Sequence, residues 1–180
     1  ARRSGSVEER VGLMAIAESD ARTLLDQFPG LSQITNVYRL LAYAALERQP
    51  AQYRAAADFL IQLRDQSRES EDFVEINRLI GDCYFLNRDF ANAVDFYSAA
   101  LNRGLASPRG GEIFLRLISA QVRAGFIEQA SQLIDEADSS GSISQVDRWR
   151  AEWNVAQALQ VSRELALALQ RVRVFLGDAS

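Results

Sequence analysis

Few side chains in this chain are equipped for chemistry. Cys83 is the only thiol, and the 180 residues include no histidine. A cysteine nucleophile needs a base beside it, and a redox sensor needs a second sulfur. Cys83 has neither and lies between Asp82 and Tyr84 in an apolar helical stretch, so it reads as a packed structural cysteine. Glu75 and Asp82 are the candidates for a two-carboxylate hydrolase, but nothing in the sequence fixes them at the roughly 5–10 Å such a pair requires. Asp135, Glu136, Asp138, Ser139 and Ser140 form an acidic helix end. They lack the alternating oxygens, central glycine and closing glutamate of a calcium loop. Gly104–Gly111 is glycine-rich but has neither the lysine nor the strand-to-helix setting of a phosphate loop. No catalytic residue, cofactor or metal is expected. Trp149 and Trp153, flanked by Arg148 and Arg150, leave two readings: both pack internally, or Trp153 anchors a ligand.

The elements that must position these groups are helices. Alanine, leucine, glutamine, arginine and glutamate dominate, and the three prolines are well spaced. No strand alternation bounded by hairpin turns is visible, so the class is all-α. The net charge of −4 argues against a general nucleic-acid binder. No apolar run approaches the roughly 20 residues that span a bilayer. A soluble protein of the bacterial cytoplasm or periplasm is expected, and thiol usage does not choose between them. All twenty basic residues are arginine, which a GC-rich genome explains.

Residues 1–5 read as a disordered leader. An N-terminal helix is expected from Ser6, with Glu9 completing a capping box, to Phe28, ended by Pro29-Gly30. Its apolar stripe runs through Val7, Val11, Met14, Ala17, Ala21, Leu24, Leu25 and Phe28. Helix pairs follow at about 34–48 with 51–66, 73–86 with 90–102, 112–124 with 127–138, and 145–160 with 162–176. The segments 103–111 and 139–142 are connectors. No proline or glycine marks the internal turn of the last pair.

The pairs repeat. Ala56, Ala93, Ala130 and Ala168 hold one place in the four second helices, at spacings of 37, 37 and 38. Ala42, Gly81, Ile118 and Ala156 are their counterparts in the first helices. Leu60, Tyr97, Ile134 and Val172 follow four residues after each second-helix alanine, and Leu63, Ala100, Ala137 and Phe175 three further on.

Residues 34–176 resemble the tetratricopeptide (TPR) repeat family, most specifically at Ile80-Gly81, Tyr84, Phe90, Ala93, Tyr97 and Ala100. The spacing exceeds the family's usual ~34 through longer links between repeats. Ile118 departs from the small residue expected, which predicts a less close helix crossing. The resemblance implies an α-α superhelix, a right-handed TPR-like solenoid of antiparallel helix pairs forming one domain. Its units are an N-terminal helix over 6–30, a possible half repeat, and repeats at 34–72, 73–110, 111–144 and 145–180. It further implies a concave groove lined by the first helices. Arg39, Tyr43, Arg78, Asp82, Phe85, Leu115, Ser119, Val122, Trp153 and Gln157 are expected to face it, with Arg116, Arg123 and Asn154 at its edge. Arginines and aromatics together suit a peptide or protein partner with acidic groups and an apolar anchor. A carboxylate clamp is not supported, because lysine is absent and Asp82 stands where one clamp asparagine would be.

The expected function is a non-enzymatic interaction scaffold. A dedicated chaperone resembling the TPR chaperones of type III secretion is the alternative, and a paired-carboxylate enzyme comes last. The final helix is apolar around most of its circumference, whereas a terminal repeat helix should show a polar outer face. Either another subunit covers it or further repeats follow in a longer parent protein, and the second is expected.

Overall fold

A computed structural model describes residues 2–28, 30–67 and 72–177, with side chains placed from residue 12 to 173. Among the described residues every regular element is a helix. In chain order they are α1 (Arg2–Gln27), α2 (Ile34–Glu47), α3 (Tyr53–Gln66), α4 (Phe73–Leu86), α5 (Phe90–Gly104), α6 (Gly110–Ala124), α7 (Ile127–Ser140), α8 (Gln145–Val161) and α9 (Leu165–Gly177). They fall into two compact units, Ala1–Asn87 and Arg88–Ser180. The boundary lies inside the segment expected as the second repeat.

In the first unit α1 packs on α2, α2 on α3 and α3 on α4. Ala21, Val37 and Leu41 form a core between α1 and α2, flanked by Leu25, Leu31, Leu40 and Phe59. The first helix departs from expectation. It begins at Arg2, within the stretch read as a leader, so Ser6 lies inside the helix rather than at its cap. Only part of its stripe is used: Ala21 is buried, while Leu24 and Phe28 are exposed. Glu18 is buried instead, because its carboxylate bridges Arg22 at 2.9 Å and Arg48 at 2.7 Å. The side chains of Val7 and Val11 lie outside the described set.

In the second unit α5 packs on α6, α6 on α7 and α8, α7 on α8, and α8 on α9. The connector between α5 and α6 is shorter than expected, since α5 runs on to Gly104 and α6 opens at Gly110. The Ser107 hydroxyl and amide both bond the Gly104 carbonyl, which folds the chain back tightly. A Cβ on Gly110 would run into the Leu105 carbonyl, so only glycine fits there.

Helix ends follow local chemistry. Asp89 caps α5, and the Ser144 hydroxyl caps α8 by accepting from the Asp147 amide at 3.1 Å. Gly125 (φ 83°) and Gly141 (φ 61°) close α6 and α7 in the left-handed region. The turn without a glycine uses Arg163 at φ 65°, and Arg88 sits at φ 63° after α4. The geometry is shared: Phe126 donates to Gln121, Ser142 to Ala137 and Glu164 to Leu159.

The register read from the sequence matches the burial pattern within each unit. Ala56, Ala93, Ala130 and Ala168 are all buried, as are Ala42, Gly81, Ile118 and Ala156. Leu60, Tyr97 and Ile134 are buried and Val172 partly so; Leu63, Ala100 and Ala137 are buried too. The side chain of Phe175 lies outside the described set.

Candidate functional site

Fixing the register residues inward also fixes what the neighbouring turns of the same helices present. Three residues before each buried first-helix position stand Arg39, Arg78, Leu115 and Trp153, and one residue after it stand Tyr43, Asp82, Ser119 and Gln157. All eight are partly or fully exposed. Tyr43 and Trp153 are the most open aromatics among them, at 53% and 56% exposure. Trp149, by contrast, is half-buried, so the two tryptophans do not share one environment. Phe85, Arg116, Val122 and Asn154 are partly buried and Arg123 is exposed on the same helices.

In the first unit Arg39 and Tyr43 of α2 line a cavity of about 110 Å³ against Leu60 of α3 and Ile76 and Leu79 of α4. Arg39 reaches the Asp72 carboxylate at the start of α4, at 3.0 Å. On α4, Arg78 lies between two carboxylates, bonding Glu75 at 2.7 Å and Asp82 at 2.6 Å. Glu75 and Asp82 are therefore held by one guanidinium between them. Tyr84, part of the most family-like stretch, packs under the Arg54 guanidinium, 5.2 Å from its ring centre. Cys83 is buried, and burial, with the Asp82 charge assisting, pushes its thiol up to about 12. Such a thiol stays protonated and unreactive.

In the second unit Arg116 pairs with Glu112 at 2.9 Å, and Arg123 sits 5.7 Å over the Phe90 ring. Trp153 and Gln157 of α8 line an apolar groove of about 300 Å³ with Leu165, Ala168, Leu169 and Val172 of α9. A larger cleft of about 1040 Å³ opens among α7, α8 and α9, lined by acidic residues including Glu128, Asp135, Glu136 and Glu164. Arg171 crosses it, bonding Asp135 at 2.8 Å and Glu152 at 3.1 Å. Glu152 is 3% exposed, and burial, ahead of the Arg171 attraction, holds its carboxyl above the usual range. The acidic helix end is explained the same way: Asp135 pairs with Arg171 and Asp138 with Arg148 at 2.8 Å.

The structure thus brings Arg39 with Tyr43, Arg78 with Asp82, and Trp153 with Gln157 into shared surroundings. Sequence reasoning missed the acidic partners of the arginines. For Arg78 and Arg116 the signal was present, as Glu75, Asp82 and Glu112 stand three or four residues away on the same helix. For Arg39 and Arg171 the partners are 33 and 36 residues distant, and no local pattern points to them.

No helix among the described residues is long and apolar enough to cross a membrane. No protein-family model matches the chain, and no curated protein matches it either. Solved structures do. The nearly identical TPR-like repeats of a kinesin light chain-type protein from Podosopora anserina align at TM-score 0.62 and 16% identity, over 99% of this chain and 90% of that one. BtubC (BKLC) from P. vanneervenii aligns at TM-score 0.57 and 19% identity, over 92% of this chain and 72% of that one. At such identities the likeness concerns the fold. With the buried register of paired helices, it establishes an all-α, TPR-like helical-repeat fold.

Proposed function

We propose that this chain is a non-enzymatic interaction module that binds peptide or protein partners on the exposed positions of its first-type helices, α2 and α4 in one unit and α6 and α8 in the other. One observation carries the reading. In all four helices the register residue is buried, while the positions three before and one after it are open in α2 and α8 and partly covered in α4 and α6. Tyr43 and Trp153 stand in solvent at these positions, where each can offer an apolar ring to a partner. TPR-like neighbours are consistent with a scaffold role.

The ion pairs refine the chemistry of the partner. Arg78 is balanced by Glu75 and Asp82, Arg39 by Asp72 and Arg116 by Glu112. A ligand carboxylate must displace an internal one to reach these guanidiniums, so apolar anchoring at Tyr43 and Trp153 supplies most of the affinity, and charge supplies register. The test is capture of partners by cross-linking on the wild type, followed by titration of the purified partner. Tyr43→Ala and Trp153→Ala are expected to weaken binding tenfold or more, and Arg78→Ala by less. Undiminished affinity in both aromatic variants would move the interface elsewhere.

A further inference from the structure

The cavity of the first unit joins an apolar floor to a charged rim, and the two make different demands on what enters it. Leu60 and Leu63 of α3 and Ile76 of α4 are buried and form the floor. An apolar cavity of about 150 Å³ admits a benzene ring. At about 110 Å³ this one is sized for a single branched aliphatic side chain. Arg39, Asp72 and Glu75 supply the charge on the rim. Arg39 bonds Asp72 at 3.0 Å, while Arg78 bonds Glu75 at 2.7 Å and Asp82 at 2.6 Å. Among the described residues of this network two guanidiniums thus meet three carboxylates, a formal excess of one negative charge. Access points the same way. The Asp72 and Glu75 side chains are 57% and 40% exposed, whereas Arg78 is 11% exposed and Arg39 is tied to Asp72.

We infer that this cavity is a recognition subsite for a partner segment that carries a leucine-like side chain beside a lysine or arginine. The aliphatic group enters the cavity, and the cation meets Asp72 and Glu75. The inference deepens the reading of the first-helix face and rests on it. An incoming carboxylate has to break one of the ion pairs before it gains a guanidinium. An incoming cation breaks none, because a carboxylate offers about four acceptor sites and keeps its first donor while it takes a second. Tyr43, on the same rim and 53% exposed, adds an aromatic ring as a contact for the cation. The partner selected here is therefore basic at this point, the reverse of what the arginines alone suggest. Floor and rim act together: burial of the aliphatic group supplies affinity, and the excess charge chooses its neighbour.

The probe is a random peptide library displayed in many copies on phage and selected against the whole chain, since multivalent display retains weak binders. The expected winners carry leucine, isoleucine or valine next to lysine or arginine. A synthetic winner, read by fluorescence anisotropy, loses about tenfold or more in affinity when its aliphatic residue becomes alanine or tryptophan. Exchanging its cation for glutamate costs about fivefold or more at about 50 mM salt, and much less at about 500 mM. Asp72→Asn with Glu75→Gln abolishes that preference. Both side chains are open enough for the double variant to keep its circular dichroism spectrum. Leu79→Phe narrows the cavity and weakens the winner too, and the peptide's own alanine exchange reads the same contact if that variant misfolds. Winners whose flanking residue is acidic, or whose binding ignores the double variant, overturn the inference. The first-helix face survives that result if Tyr43→Ala or Trp153→Ala still weakens them. Absence of winners, or winners indifferent to both aromatics and to the double variant, overturns both readings.

Discussion

Replacing Arg171 by methionine removes a charge of similar length from between Asp135 and Glu152, and the structure sets both the size and the pH dependence of the loss. Asp135 is exposed, so its 2.8 Å contact contributes at most about 1 kcal/mol. Glu152 is the larger matter, because it is 3% exposed and Arg171 is its hydrogen-bonding cation. Stripping one partner from a buried ion pair costs about 3–5 kcal/mol. The carboxyl has an escape, however: it can take up a proton. From an ordinary value of 4.5, neutralisation at pH 7 costs about 3.4 kcal/mol at ~1.36 kcal/mol per pH unit. The loss at pH 7 is therefore bounded at roughly 3–4 kcal/mol. The sign follows from burial, which raises the carboxyl of Glu152 in the folded state. The folded protein holds that proton more tightly than the unfolded chain, so this group's contribution to stability falls as pH rises above 4.5. In Arg171→Met the window widens upward, and the loss should shrink to about 1–2 kcal/mol at pH 5. Both tryptophans, Trp149 and Trp153, lie on α8 with Glu152, so urea unfolding followed by tryptophan fluorescence at pH 5 and 7 reads the right helix. Adding Glu152→Gln should recover about 2 kcal/mol at pH 7 and abolish the pH difference. A loss below about 1 kcal/mol at pH 7, or one equal at both pH values, refutes the reasoning.

Two further predictions concern the backbone and the thiol. Arg88→Gly and Arg163→Gly are each expected to stabilise by about 0.5–1 kcal/mol, since both hold left-handed backbone, while Gly125→Ala destabilises by about 1 kcal/mol without a steric clash; thermal melts of the three variants check this. Cys83 should resist aromatic disulfide reagents in the native protein at pH 8 and react at once in urea, because its thiol lies near 12; fast native labelling would mean that α4 opens locally.

What was legible in the sequence was what repeats. A small residue recurring at 37 or 38 fixed the helix pairs and the inward register, because close packing rejects a large side chain at the same place each time. The openness of Tyr43 agrees with that register, whereas the reading in which both tryptophans pack internally fails for Trp153, which is exposed. Features outside the repeat were not legible. The apolar stripe of α1 suggested a buried face through Leu24 and Phe28, yet the helix turns Glu18 inward because Arg48, thirty residues away, supplies its counter-charge. The left-handed turn after α8 was hidden because arginine replaced the glycine that announces such a turn. The pairing of the arginines could be judged only in part, since Arg39 and Arg171 find carboxylates by tertiary approach.

Ile118 bears on how this fold can be redesigned. It is fully buried at a position where the other three first helices carry alanine or glycine. Averaging the repeats toward their common residue, an ordinary route to hyperstable arrays, would replace it with alanine. Here the average is the wrong guide. Truncating a fully buried isoleucine costs about 2–5 kcal/mol wherever the surroundings cannot collapse. The helix pairs are thus not interchangeable modules: idealisation must keep Ile118 or rebuild its neighbours with it, and swapping another pair for α6 and α7 would carry the wrong side chain into this position.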